Sequence, residues 1–224
     1  MALLYLHRRE YFWHGATTFC TITSSHTPPQ QHTLPCPTED SRMIIAQEPL
    51  HLVDIFQTGG ILAYPTEAVY GLGCDPDNEK AVHRLLSIKK RPIEKGLILI
   101  AADFSQVDKY LQPLSKSQQE FTRPSDTTYI FPALDTAPKW LTGDFNSLAI
   151  RITKHPLAFE LCSTLQSALI STSANISGQA PAKNAQEVSV QLGDKIDAIL
   201  DGKTGDLLKP TAIRDSISGK IIRP

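Results

Sequence analysis

Ile61-Leu62-Ala63-Tyr64-Pro65-Thr66-Glu67-Ala68-Val69-Tyr70-Gly71-Leu72-Gly73 is the stretch on which the reading of this chain turns. Residues 61–64 are an apolar, strand-sized run. Pro65 ends it, because a proline has no N–H to give to a ladder. Residues 64–73 then read as a polar loop leading to a helix, with glycines that permit positive φ. Thr66 sets a hydroxyl directly after a proline-fixed turn. Glu67 reads as a base or, more simply, as a solvated or capping carboxylate.

Outward from this stretch, apolar strands alternate with helical spacing. Residues 44–56 carry Leu50, Val53, Ile55 and Phe56 at helical intervals until Gly59-Gly60 stop them. Asn78 is placed to cap a helix through Val82, Leu85, Leu86 and Ile88. Residues 97–101, 127–131, 147–153 and 169–172 read as strands, and 196–200 as a further apolar run. Residues 103–111, 155–165 and 183–192 read as helices. Residues 212–214 and 220–223 close the chain as short strands. This pattern predicts an α/β fold: a twisted open sheet, mixed in direction, with helices packed on it.

Composition bounds the function. The chain has 224 residues, enough to bury a substantial core, and a net charge of −1, so no global basic field draws it onto nucleic acid. Cys20, Cys36, Cys74 and Cys162 are scattered, with no C-x-x-C pair and no matched histidines. That argues against a zinc site and fits a reducing, cytoplasmic setting. The apolar runs are far too short to cross a bilayer as a helix. Residues 1–42 contain Pro28-Pro29, Pro35 and Pro37 without a sustained period. They read as a disordered extension, as sequence upstream of a true start at Met43, or as a targeting peptide without a clean apolar core. The domain proper is expected over residues 43–224.

Three polar stretches stand out, two of them at the ends of apolar strands, where open α/β sheets place ligands, and one at the end of a helix. Besides residues 64–73, they are the cationic Lys89-Lys90-Arg91-Pro92, with Lys95 beyond, and Ser171-Thr172-Ser173-Ala174-Asn175. Cations at a helix end also answer the helix dipole, but an arginine fork beside a lysine point charge suits adjacent phosphates. The hydroxyl run lacks the G-x-S-x-G frame and a partner histidine, so its side chains read better as hydrogen-bond donors to a ligand. Arg151, flanked by Ile150 and Ile152, is either paired or faces a ligand. Thr211, Arg214 and Asp215 form a late polar cluster. Gly202-Lys203-Thr204 imitates the end of a P-loop, but Asp197 stands where the first glycine is required.

Taken in order, the 64–73 stretch, Lys89-x-Arg91 and Ser173-Ala174-Asn175-x-Ser177-Gly178 closely resemble the YrdC-like family, the threonylcarbamoyl-AMP synthases, over about residues 43–224. The phrases at 91–97 and 211–215 are similar to its short single-domain bacterial branch. The resemblance implies a twisted open sheet around a concave basic cavity. It further implies a nucleotidyltransferase that joins L-threonine, bicarbonate and ATP into threonylcarbamoyl-AMP, with Mg2+ accompanying ATP. The product would feed tRNA threonylcarbamoyladenosine formation through a downstream transferase complex. Lys89 and Arg91 would be catalytic and hold phosphates. Thr66, Arg151 and Ser173 would bind substrate; Thr128, Ser171, Asn175 and Arg214 would bind nucleotide; no protein ligand for a metal is implied. One departure stands out: where the family carries Trp-Pro-Gly-Pro-x-Thr, this chain has Arg123-Pro124-Ser125-Asp126-Thr127-Thr128. Asp126 is thereby expected to bring negative charge near the phosphates. The rival expectation is a non-catalytic protein of the same fold that grips tRNA or double-stranded RNA by shape. Carbamoyl transfer in hydrogenase maturation is a third, in domains embedded in longer chains.

Overall fold

The computed structural model describes residues 43–224; the expectations for residues 1–42 lie outside the described residues. Ten strands form one mixed sheet: β1 (Ile44–Ala46), β2 (Leu62–Pro65), β3 (Tyr70–Gly73), β4 (Ile98–Ala101), β5 (Thr127–Pro132), β6 (Ser147–Ile152), β7 (Leu169–Ser173), β8 (Ala198–Leu200), β9 (Ala212–Asp215) and β10 (Ile221–Arg223). Their order is β1-β8-β2-β3-β7-β4-β6-β5-β9-β10. Five helices join them: α1 (Val53–Gln57), α2 (Glu79–Lys89), α3 (Lys139–Thr142), α4 (Pro156–Leu165) and α5 (Ala185–Leu192). No helix among the described residues is long and apolar enough to cross a membrane.

Period-two alternation divides the strands between two faces. Ala63 of β2, Leu99 of β4, Ile150 of β6 and Ile170 of β7 join one core cluster with Leu85 of α2 and Val188 of α5. Leu62 and Tyr64 of β2, Ile100 of β4 and Leu169 of β7 join a second cluster with Phe56 of α1 and Leu161 of α4. Along β6 the residues alternating with the first cluster are Ala149 and Arg151, and along β7 they continue from Leu169 to Ser171 and Ser173. Here no helix among the described residues covers the second face, and it forms the floor of a cavity.

Three expectations are corrected. Residues 44–46 are a strand, parallel to β8, rather than the start of a helix. Glu48 is extended ahead of Pro49 (φ −123°, ψ 137°), as a residue before proline prefers, so the helix starts only after that break. Residues 70–73 are a second strand rather than a loop entering a helix: β2 and β3 pair antiparallel, closed by a turn in which the Thr66 N–H and hydroxyl both donate to Val69 O (3.1 and 2.7 Å). Its glycines keep negative φ; they permit close approach instead. A Cβ on Gly71 would meet the Tyr64 ring at 3.0 Å, and one on Gly73 would run into the Ile170 carbonyl of β7. Residues 103–111 form two 3-10 turns, not one helix. The expected Asn78 cap forms, accepting from Ala81 N at 3.1 Å, and Asn184 caps α5 in the same way, accepting from Glu187 N at 2.9 Å.

Candidate functional site

The cavity on the uncovered face has a volume of about 450 Å³. Cross-strand register assembles its floor. Ile98 of β4 lies opposite both Ser171 of β7 and Ala149 of β6, and Gly71 of β3 lies opposite Ser173. Residues paired directly across strands share a face, so three distant stretches of sequence meet on one surface.

Its charged lining is of one sign. Arg91, Lys95, Arg151 and Arg223 line the cavity, and among the described residues no Asp or Glu does. Arg91 Nη2 donates to Gly96 O at 2.8 Å, while its Nε is buried without a partner. Burial holds the Arg91 guanidinium below its ordinary range. Arg151 is 7 % exposed; its Nη1 donates to Thr211 Oγ1 at 2.9 Å, and its Nε too is buried and unpartnered. Buried donors without acceptors are costly, and both arginines stand on the cavity wall, where an anion would meet positive charge.

Behind the wall, Glu67 balances Arg151. The carboxylate is buried and lies 3.2 Å from Arg151 Nη2, a charge contact without hydrogen-bond geometry. Its other oxygen accepts from Thr153 Oγ1 (2.6 Å) and Lys154 N (3.3 Å). Burial alone would raise the Glu67 carboxyl; Arg151 and these hydrogen bonds outweigh it and hold the group below the usual range. Glu67 is thus ionised, buried against Arg151 and away from the wall, which leaves neither the role of a base nor that of a solvated carboxylate.

Thr66, Arg91, Arg151, Ser171 and Ser173 lie together on the wall. Four other candidates do not. Lys89 is buried beneath it, its ammonium donating to Ser173 O (2.7 Å), Asn175 O (2.6 Å) and Asn175 Oδ1 (2.7 Å). Asn175 is the counterpart of that contact. Thr128 is fully buried and meets Thr211 Oγ1 at 3.1 Å, so it touches the cavity only through Thr211. Arg214 is exposed, turned away from the wall by the alternation along β9 that brings Ile213 onto it.

Arg223 holds the place expected of Arg214, and sequence reasoning missed it. It lies opposite Ile213 in the β9–β10 pair and donates to Thr211 O at 2.9 Å. Burial, and then Arg151, lower its guanidinium. The signal available was its position on the closing strand. Asp126 is also placed otherwise than expected: it pairs with Lys154 at 3.2 Å in solvent, off the cavity wall, so its charge is neutralised away from the cations. The P-loop imitation is structural, with the Gly202 backbone held to the Tyr70 hydroxyl and Lys203 O to His155 Nε2.

An open mixed α/β sheet with a cavity lined by four cations on one face defines the class of protein. The family model for Sua5, YciO and YrdC proteins, described as telomere recombination, matches residues 54–224, and the chain belongs to that family. It is 48% identical over 176 residues to the threonylcarbamoyl-AMP synthase of Enterobacter sp. (strain 638), covering 76% of this chain and 92% of the relative. It is 47% identical over 176 residues to the protein of that name from Stenotrophomonas maltophilia (strain K279a), covering 76% and 95%. Among solved structures, P. abyssi Sua5 complexed with L-threonine is similar at TM-score 0.71 and 27% identity, over 77% of this chain and 54% of that one; this chain spans about half its length. E. coli YciO shares the fold at TM-score 0.66 and 23% identity, over 81% of this chain and 93% of that one.

Proposed function

We propose that this chain is an L-threonylcarbamoyladenylate synthase, forming threonylcarbamoyl-AMP and pyrophosphate from L-threonine, bicarbonate and ATP. The observation that carries the reading is the cavity wall: four cations set among hydroxyls, with no carboxylate among the described residues. The name shared by relatives nearly half identical to this chain supports it over an RNA-binding role.

The chemistry asks little covalent help of the protein. Threonine's amine and bicarbonate combine to a carbamate with loss of water. A carbamate oxygen attacks the α-phosphorus of ATP; the new O–P bond forms as the bridging P–O bond breaks, and its electron pair leaves on pyrophosphate. Holding the reactants together and offsetting negative charge dominate such a step. Arg91, Lys95 and Arg223 supply positive charge for the phosphates. Arg151, fixed by Glu67 and Thr211, meets an anionic group of the substrates, and Thr66 and Ser171 contact threonine. Among the described residues the wall offers magnesium no carboxylate, so they do not fit a protein-held ion, and Mg2+ would travel on the phosphates of ATP. The product's consumer is a transferase complex acting on tRNA in the cytoplasm.

Pyrophosphate release by the purified chain tests this reading. Expected is release that requires threonine and bicarbonate together. ATP turnover indifferent to threonine would overturn it.

A further inference from the structure

Lys89 is the buried cation that the cavity does not use. An ammonium has three N–H donors, and all three are taken at 2.6–2.7 Å by the turn after β7: by Ser173 O, Asn175 O and Asn175 Oδ1. The Asn175 amide is fixed in turn, its Nδ2 donating to Ile176 O (3.1 Å) and Gln179 O (2.7 Å). That assigns the opposite end of the amide as oxygen, and the same oxygen receives the Ser173 hydroxyl at 2.7 Å. An amide oxygen only accepts, so Ser173 spends its one proton inward.

Polarity at the wall follows. Ser173 lines the cavity, yet with its proton committed it offers the cavity lone pairs alone. A phosphate or carboxylate oxygen brings only lone pairs and would find no hydrogen there. A group carrying N–H or O–H would be accepted. We propose that Lys89 is a positioning residue which, through Asn175, holds Ser173 as a hydrogen-bond acceptor, so that this part of the cavity takes a donor group of the substrates (the threonine nitrogen or hydroxyl, or a ribose hydroxyl) and Lys89 itself touches no phosphate. The proposal rests on the synthase reading only in naming these donors.

The structural half is tested without turnover. The full chain, labelled with 15N-lysine, is observed through its ammonium signals, with Lys89 assigned by its loss in Lys89→Arg and Lys95 by its loss in Lys95→Arg. Pyrophosphate is then added, followed by a non-hydrolysable ATP analogue. Expected is a Lys89 signal that stays put while that of Lys95 moves; a Lys89 shift as large as that of Lys95 overturns the proposal. The polarity half uses kinetics. Ser173→Ala is expected to raise one KM about five- to tenfold, the ratio for one lost hydrogen bond, with kcat changed less. A rise in threonine KM identifies threonine as the donor, and a rise in ATP KM mimicked by a deoxyribose analogue identifies the ribose. Lys89→Arg is expected to reproduce that rise, and the double variant to be no worse than the single ones within about twofold, as for groups acting as one unit. Multiplying effects, or no KM change in Ser173→Ala, overturn it. If the wild type forms no threonylcarbamoyl-AMP, the synthase reading fails while the ammonium result still stands on its own.

Discussion

At the residue scale, the site is a set of buried charges whose partners decide what each can do. Arg151 and Glu67 are the coupled pair. Removing only the cation strands a buried carboxylate, so Arg151→Met is expected to destabilise the fold by about 3–5 kcal/mol in urea unfolding. Adding Glu67→Gln should restore most of that stability while activity stays lost, which separates folding from function. Lys89 yields a prediction in which stability and activity diverge. Burial, and then Arg91, push its ammonium down to about 8 from an ordinary 10.5. Above about pH 8 the relay to Ser173 loses a donor, so turnover should fall. Between those two values the unfolded chain holds a proton that the folded chain has released, so Lys89's contribution to stability rises with pH. Comparing wild type with Lys89→Met by urea unfolding at pH 7.5 and 9.5 checks the sign. Reading the sequence picked out Lys89, Arg91, Ser173 and Asn175 because their residue types are conspicuous, but it could not tell a phosphate ligand from a brace. That difference lies in where the three ammonium hydrogens point, which the packing of α2 against the end of β7 decides.

At the scale of elements, glycine and one strained lysine mark where backbone geometry is decisive. Lys90 ends α2 in the left-handed region at φ 47°, letting the Arg91 N–H reach back to Leu86 O at 3.0 Å. That conformation costs a non-glycine residue about 1 kcal/mol. Lys90 is exposed, so Lys90→Gly should stabilise the chain by about that amount and leave activity intact, as thermal unfolding beside a pyrophosphate assay would show. Gly73→Ala should do the reverse. Its methyl group would collide with the Ile170 carbonyl, force β3 from β7 and disturb the floor between Gly71 and Ser173. Far-ultraviolet circular dichroism and unfolding would register the loss. Strands 127–131, 147–153 and 169–172 and the helix at 155–165 were legible from apolar runs and caps. β3 was not, because glycine carries no β-signal, and its place depends on Tyr64 packing over it. β1 was masked by helical spacing that continues past Pro49.

At the scale of the whole molecule, the function depends on leaving part of one sheet face uncovered. Helices α1 and α4 close that face at one end, and the floor built from β3, β7, β4 and β6 stays open. Sequence reading reached the open mixed sheet and the meeting of distant loops. It did not reach Arg223, whose side is set by pairing across β9–β10, nor the removal of Asp126 from the site by Lys154. The buried groups also set an acid limit. Glu67, and likewise His155, whose protonation burial opposes, have folded pKa values below their ordinary ones. Their contribution is therefore present above the ordinary values of 4.5 and 6.5 and is lost as pH falls through the lower, folded ones. Glu67→Gln should flatten the acid limb of a stability–pH curve. The most direct measurement of what the cavity does is to supply 13C-bicarbonate with ATP and unlabelled threonine and weigh the adenylate by mass spectrometry. Expected is a threonylcarbamoyl-AMP carrying a single 13C; an unlabelled threonyl-adenylate, or AMP formed with no threonine attached, would contradict it.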